Sequence, residues 1–209
     1  MKKYLSTCMV FFSLLILPVS AVAADIFIQF DDLSAPSLFT ATAPLTNQYA
    51  LSGVTFEGGG AILNEFSNFG VDPKSGSNFL AFNRNAIMSN GGIPRDPETI
   101  VFTQTWKTVS IWAAGGDSTD TFLMEAFGTG GNLVDTASIT TQGWSILTVS
   151  SGTENIKKVV LTQTAGDGKF VFDDLRATDS SAPVPEPTSL TLLLAGIAGL
   201  AGLRSRRRS

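Results

Sequence analysis

From Asp25 onward, the apolar residues of the chain fall in short runs in which apolar and polar positions tend to alternate. The runs are rich in Phe, Val and Ile and are separated by Gly, Asn, Asp and Pro, a pattern typical of strands linked by turns. No helical spacing of apolar residues persists beyond one turn. The pattern therefore predicts an all-β fold, an antiparallel β-sandwich of the jelly-roll type. The predicted strands are 26–30, 54–57, 79–82, 99–102, 108–113, 121–127, 133–139, 145–149, 157–163 and 170–175.

Glycine clusters predict how some of these strands are connected. The segment 128–132 predicts a hairpin between its flanking strands, and the segment 166–168 predicts another before the last strand. Three longer connections, at 34–52, 66–78 and 83–97, exceed the usual loop length. Loops of this length are expected to be functional or loosely ordered.

A different apolar pattern begins the chain. Two lysines precede an apolar run at 10–17, and the small residues at 21–23 read Ala-Val-Ala. This order is that of a secretory signal peptide. Residues 1–23 are therefore predicted to be removed on export, which leaves a folded domain at 24–180.

A longer apolar run without charge, from residue 188 to residue 203, lies near the C-terminus. As a helix it would be roughly 24 Å long, slightly less than the thickness of a bilayer core. Charge at a bilayer centre is costly, and basic residues beside a span stay on the cytoplasmic side of the inner membrane. The basic residues that are expected to stop translocation are Arg204, Arg206, Arg207 and Arg208.

The chain reads Val184-Pro185-Glu186-Pro187 just before this run. A Pro-Glu-Pro motif, an apolar helix and an Arg-rich end, in this order at the C-terminus, resemble the PEP-CTERM sorting signal of Gram-negative bacteria. The resemblance divides the tail into a linker with the motif at 181–187, a transmembrane helix at 188–203 and a basic tail at 204–209.

This resemblance implies two partners, the export machinery and an exosortase that processes the chain at or near the motif. It also implies a transient anchor in the inner membrane, followed by a location at the cell surface or outside the cell. An ordinary C-terminal anchor is the alternative, and it predicts the same topology.

Charge is distributed unevenly along the chain. Of 14 Lys and Arg residues, two lie in the predicted signal peptide and four in the tail, whereas 17 of the 18 Asp and Glu residues lie in the domain. The domain is therefore strongly acidic. Because an acidic surface repels phosphate backbones, nucleic acid is not an expected partner.

The residue types of many hydrolytic sites are missing from the domain. The chain has no histidine, and its one cysteine, Cys8, lies in the predicted signal peptide. A Ser-His-Asp triad, a Cys-His pair and a histidine-ligated zinc site are therefore excluded, and we expect no enzymatic activity. A carboxylate-based glycoside hydrolase or lyase is the alternative. No pair stands out among its candidate acids, which are Glu57, Glu65, Asp96, Glu98 and Glu125.

One tetrapeptide occurs twice, as Phe30-Asp31-Asp32-Leu33 and as Phe172-Asp173-Asp174-Leu175. Strand alternation predicts that Asp32 and Asp174 point inward at the ends of the first and last strands. An inward carboxylate needs a partner, and clustered carboxylates suit calcium. The candidate ligands of a structural calcium ion are therefore Asp31, Asp32, Asp173 and Asp174. The alternative is that these aspartates cap turns by accepting backbone amides.

The repeated tetrapeptide and the strand pattern resemble the galactose-binding-like jelly rolls of carbohydrate-binding modules. The resemblance implies a structural calcium near the chain ends and a polysaccharide ligand that stacks on an exposed ring. Trp112 is the first candidate platform, because it is out of phase with Ile111 and Ala113. Tyr49 is the second candidate, ahead of Trp106 and Trp144. Burial in the core is the alternative for each ring.

Together these patterns predict an exported, non-catalytic protein of the cell surface or extracellular matrix that binds or structures exopolysaccharide. A protein-binding adhesin is a further alternative, for which exposed edge strands would be the contact surface.

Overall fold

The structure, a computed structural model, describes residues 25–64, 69–153 and 155–179. Within them the chain forms eleven strands and two short 3-10 helices, at Phe39–Ala41 and Ala50–Ser52. The strands are β1 (Ile26–Ile28), β2 (Val54–Phe56), β3 (Ala61–Asn64), β4 (Asn78–Asn83), β5 (Glu98–Trp106), β6 (Thr108–Ala114), β7 (Asp120–Gly128), β8 (Leu133–Thr141), β9 (Ser145–Ser150), β10 (Ile156–Ala165) and β11 (Lys169–Thr178). Each predicted strand is present, and the all-β class is confirmed.

Several predicted segments lie outside the described residues. They are the signal peptide at 1–23, the linker and sorting motif at 181–187, the transmembrane helix at 188–203, the basic tail at 204–209 and both end residues of the domain predicted at 24–180. Within the part of the chain that the structure describes, no helix has the length and apolar character needed to cross a membrane.

Two antiparallel sheets form the sandwich. The first sheet has the order β3-β4-β11-β6-β9, and β1 also pairs with β11; the second has the order β2-β5-β10-β7-β8. The segment 128–132 joins β7 to β8 as the predicted hairpin. The hairpin predicted at 166–168 is wrong, because this turn carries the chain from β10 in the second sheet to β11 in the first. A glycine turn alone does not show whether the next strand stays in the same sheet.

The main core lies between the sheets and is dominated by aromatic rings. Phe82 and Phe170 stack with ring centroids 4.8 Å apart, and Phe172 meets both Phe82 and Phe122 edge-on at 5.6 Å. All four rings are almost completely buried. Such pairs add to the stability that their buried area provides.

The first sheet is also covered on its other face. Along its strands, members of the main core alternate with members of a second apolar cluster, as Phe172 does with Val171 and Phe82 with Ala81. Alternate residues of a strand point to opposite faces, so the second cluster lies on the outer face of this sheet. Phe39 and Phe69, from the long connections, complete it.

Candidate functional site

Two strands share one edge of β11. The β4 strand pairs with the first part of β11, up to Phe172, and β1 pairs with the part from Leu175 onward. Asp173 and Asp174 lie at the junction, where β11 carries one extra residue relative to β6. Such a bulge reverses the side-chain phase of the strand beyond it. Both copies of the tetrapeptide thus lie at this junction.

The first copy holds one side of the segment 74–78. The Asp31 carboxylate accepts hydrogen bonds from the backbone amides of Ser77 and Asn78, at 2.6 and 3.0 Å. The Asn78 side-chain amide in turn donates to the carbonyl oxygens of Phe30 and Leu33, at 3.0 and 2.8 Å. The turn after β1 and the start of β4 are therefore fixed to each other.

The second copy holds the other side of the same segment. The Asp173 carboxylate accepts the amides of Lys74 and Ser75, at 2.9 and 3.3 Å, and the amide of Asp174, at 2.7 Å. The Ser75 hydroxyl donates to Asp174 at 2.6 Å. We call Asp31, Asp173 and Asp174, with the segment 74–78 that they hold, the aspartate clamp.

The structure corrects the predicted orientation of two of these aspartates. Asp32 is exposed, and the fully buried carboxylate of the second copy is Asp173, not Asp174. A left-handed backbone at Phe30, with φ 64°, and at Asp174, with φ 51°, changes the directions of Asp32 and Asp174, whereas Asp173 points to the outer face and is buried under the segment 74–78. Phe30 and Asp174 each break the strand alternation on which the prediction depended.

The four aspartates do not form the donor set of the predicted calcium site. Asp31 and Asp173 accept backbone amides, Asp174 accepts the Ser75 hydroxyl, and Asp32 accepts the Tyr49 hydroxyl at 2.6 Å. Among the described residues no group of three or more His, Cys, Asp or Glu side chains is placed to hold a metal. The roles of these aspartates therefore correspond to the turn-capping alternative.

Burial gives the clamp a pH dependence. Loss of solvation raises the pKa of the Asp173 carboxyl to about 7, and the charge of Asp174 acts in the same direction, while the amides that Asp173 accepts oppose the shift. Burial likewise raises the pKa of Glu98 to about 7, against the amides of Gly60 and Gly58. Both carboxyls therefore bind a proton more tightly in the folded chain than in the unfolded one.

We expect the free energy of unfolding to decrease as the pH rises from about 4 to about 7 and then to level off. In this interval the unfolded chain has released protons that Asp173 and Glu98 still hold in the folded chain, so ionisation favours unfolding. Urea denaturation over a pH series would measure the slope, which should be shallower in Asp173→Asn. An increase in stability over this interval, or an unchanged slope in the variant, would contradict the assignment.

An open cavity of about 540 Å³ lies beside the clamp. Trp112 and Trp144, both half-buried, line it together with the segment 70–74. The Trp144 indole donates to the carbonyl oxygen of Asp72 at 2.8 Å, and the Lys74 ammonium lies 4.4 Å from the centre of the Trp112 ring. Because the clamp fixes the amides of Lys74 and Ser75, it also fixes this wall of the cavity.

The candidate rings differ in exposure. Trp112 lies on the outer face of the first sheet, since Ile111 and Ala113 belong to the main core. Tyr49 is only 5% exposed and packs against Phe30 and Phe56, so the expectation of an exposed Tyr49 platform is wrong. Its hydroxyl donates a hydrogen bond to the Asp32 carboxylate, and its ring packs at the edge of the core.

The other two tryptophans have opposite environments. Trp106 is completely buried at the end of β5. Trp144 was the last of the candidate rings, yet it shares the cavity with Trp112. The sequence did contain a sign of this exposure, because Trp144 follows Gly143 in the turn before β9, and such connecting segments lie on the surface.

Among the candidate acids that the structure describes, Glu57, Glu98 and Glu125 do not form a facing pair of free carboxylates, and the Asp96 carboxylate accepts the backbone amide of Gln163 at 3.1 Å. Glu98 is completely buried, and its two carboxylate oxygens accept the amides of Gly58 and Gly60. Glu57 follows β2 and Glu125 lies in β7, three strand spacings away in the same sheet, or roughly 14 Å. This exceeds the separation of about 9.5 Å at which two carboxylates can act on one glycosidic bond. Glu65 lies outside the described residues.

Comparison with solved structures yields several matches of low identity. A DUF4465 family protein from Bacteroides caccae matches with 14% identity and a TM-score of 0.48, over 75% of this chain and 100% of its own. The K2 cleaved adhesin domain of Lys-gingipain matches with 15% identity and a TM-score of 0.47, over 74% and 99%. The C-terminal family 22 carbohydrate-binding module of Clostridium thermocellum Xyn10B matches with 15% identity and a TM-score of 0.40, over 71% and 99%.

Comparison by sequence gives a match at the C-terminus. No curated protein matches the chain. Residues 183–208 match the family model of the PEP-CTERM protein-sorting motif. The matched range includes the predicted motif at 184–187 and the four arginines of the basic end. These residues are therefore a PEP-CTERM protein-sorting motif, which implies that the chain is an exported substrate of an exosortase.

Proposed function

We propose that this exported chain is a non-catalytic glycan-binding protein of the cell surface or extracellular matrix, and that Trp112 and Trp144 form its binding site. The observation that carries the proposal is that two half-buried indoles share one open cavity on the outer face of the first sheet. Ligand sites combine apolar aromatic walls with a few polar groups that fix orientation. The exopolysaccharide of the producing cells is the proposed ligand.

The chemistry of the cavity suits a sugar. The C–H face of a sugar ring is apolar and packs on an aromatic ring, while its hydroxyls need both donors and acceptors. Lys74 brings an ammonium with three donors, and Asp72 brings a carboxylate that accepts. The indole N–H of Trp144 is already used by the Asp72 carbonyl, so this ring offers its face and edge rather than its donor.

We expect Trp112→Ala to weaken binding of the exopolysaccharide about tenfold or more, because truncation of a central aromatic ring removes a large share of a binding free energy. The measurement is retention of the exported protein, purified from the producing cells, on immobilised exopolysaccharide from the same cells.

Phe127 provides a matched control. It is a half-buried ring on the outer face of the second sheet, with the Lys158 ammonium 4.7 Å from its centre. It therefore reproduces the ring and lysine of Trp112 and Lys74, but it does not line the Trp112 cavity. Phe127→Ala should bind as the unchanged protein does. Equal losses in both variants, or none in Trp112→Ala, would reject the cavity as the binding site.

A further inference from the structure

A second cavity, of about 420 Å³, opens where β1 ends. Its walls include the ring of Phe27 and the polar side chains of Gln29, Asp31, Asp32 and Ser52. Phe27 is 55% exposed, because alternation along β1 turns it away from the core that its two neighbours enter. The cavity thus also combines an aromatic wall with hydrogen-bonding groups.

Phe27 and Trp112 lie on the same face of the first sheet. Ile26 and Ile28 belong to the main core, so Phe27 projects outward, as Trp112 does. The pairing register places Phe27 opposite Arg176, and Arg176 opposite Ser110, two residues before Trp112. Two strand spacings and two residues along a strand put the Cα atoms of the two aromatic residues roughly 12 Å apart.

Polar groups fill the space between these two rings. The Gln29 amide, two residues after Phe27, donates to the Ser75 hydroxyl at 3.1 Å. Ser75 is adjacent to Lys74, whose ammonium covers the Trp112 ring. The aspartate clamp therefore lies between the two cavities and contacts both, since Asp31 lines the second one.

We propose that Phe27 is a second aromatic subsite of the same glycan surface, so that the ligand is a polysaccharide chain held through several consecutive sugar units. This inference rests on the proposed function of the Trp112 cavity. A single sugar at Trp112 would leave the Phe27 cavity empty, whereas a chain that follows the line from Trp112 across Lys74, Ser75 and Gln29 meets apolar and polar groups along its whole length. Affinity should consequently grow with chain length until both cavities are occupied.

The test uses exopolysaccharide from the producing cells, partly hydrolysed and separated by size, with affinities measured for each size class. We expect Phe27→Ala to weaken binding of long fragments about tenfold and to leave binding of short fragments unchanged. Trp112→Ala should weaken both. Leu133→Ala is the matched control, because Leu133 is 52% exposed and lies on an edge strand of the other sheet.

The outcomes separate the two proposals. If Phe27→Ala binds long fragments as tightly as the unchanged protein, while Trp112→Ala loses them, the second subsite is rejected and the Trp112 cavity stands. If the affinity of the unchanged protein does not increase with fragment length, the second subsite is likewise rejected. If Trp112→Ala loses nothing, or no fragment binds, the proposed function fails and the second subsite fails with it.

Discussion

Replacing Gly76 with alanine is expected to lower the free energy of unfolding by about 2–5 kcal/mol and to weaken glycan binding at the Trp112 cavity. Gly76 has φ 55°, in the left-handed region that costs other residues about 1–2 kcal/mol. A Cβ atom there would also overlap the Asp31 carboxylate. If Asp31 moves away, the amides of Ser77 and Asn78 lose their acceptor, which adds about 1–3 kcal/mol.

Binding should be affected because Gly76 lies in the segment that the clamp holds. Lys74, two residues earlier, forms one wall of the cavity with its ammonium over Trp112. Once Asp31 releases Ser77 and Asn78, the segment that carries Lys74 is held only from the side of Asp173 and Asp174, so the wall is less firmly fixed. The loss should therefore be visible at temperatures where the variant is still folded.

Gly91→Ala is the control that distinguishes the clash with Asp31 from the free-energy cost of a left-handed backbone. Gly91 has φ 81°, and nothing lies within 4 Å of a Cβ atom at this position. The free energy of unfolding of this variant should fall only by the cost of the left-handed backbone, about 1–2 kcal/mol, and its glycan binding should be unchanged. Thermal unfolding and retention on exopolysaccharide, measured for both variants, are the readouts. Equal stability losses, with binding intact in both, would contradict the role of the clamp.

The strand pattern made most of the fold predictable. Runs such as 108–111 alternate strictly between polar and apolar residues, and a strand with one buried face has no other way to satisfy that pattern. The strand Ala61–Asn64 was missed because it is four residues long, follows three glycines and is buried on both faces, so it shows no alternation. The order of strands within the sheets depends on pairings distant in the chain, which turn residues do not encode.

The aspartate clamp could be predicted from the sequence only in part. The repeated tetrapeptide marked the right residues, and the pairing of β1 with β11 brings the two copies together. Their side-chain directions could not be predicted, because Phe30 and Asp174 adopt a left-handed backbone that such residues rarely take. Their common partner, the segment 74–78, lies about 100 residues from the second copy, as the separation of 99 between Lys74 and Asp173 shows.

The cavity was partly predictable. The phase of Trp112 within β6 indicated an outward ring, and the structure agrees. The wall that Trp144 forms could not be predicted, because its indole is held by the carbonyl oxygen of Asp72, which is 72 residues away in the chain. Contacts of that range depend on how long loops fold over a sheet, and no local pattern reports them.

Phe172→Ala is expected to have the largest effect on stability, a loss of about 3–5 kcal/mol. The Phe172 ring is completely buried and contacts the rings of Phe82, Phe122 and Phe170 at 5.6 Å each. Because those rings belong to three strands of two sheets, the cavity left by truncation cannot collapse without moving both sheets. Urea denaturation gives the free energy directly, and Phe172→Leu, which keeps more of the volume, should lose less.

The two large effects should differ in their consequences for binding. Phe172 points to the core between the sheets, while its neighbour Asp173 points to the outer face and the clamp. Phe172→Ala should therefore bind exopolysaccharide normally wherever it remains folded, unlike Gly76→Ala. The exposed half of Phe127 makes Phe127→Ala the stability control, with an expected loss well below that of Phe172→Ala. Similar losses of stability in both phenylalanine variants would contradict the central role of Phe172 in the core. Loss of glycan binding in folded Phe172→Ala would mean that the core and the clamp do not act independently.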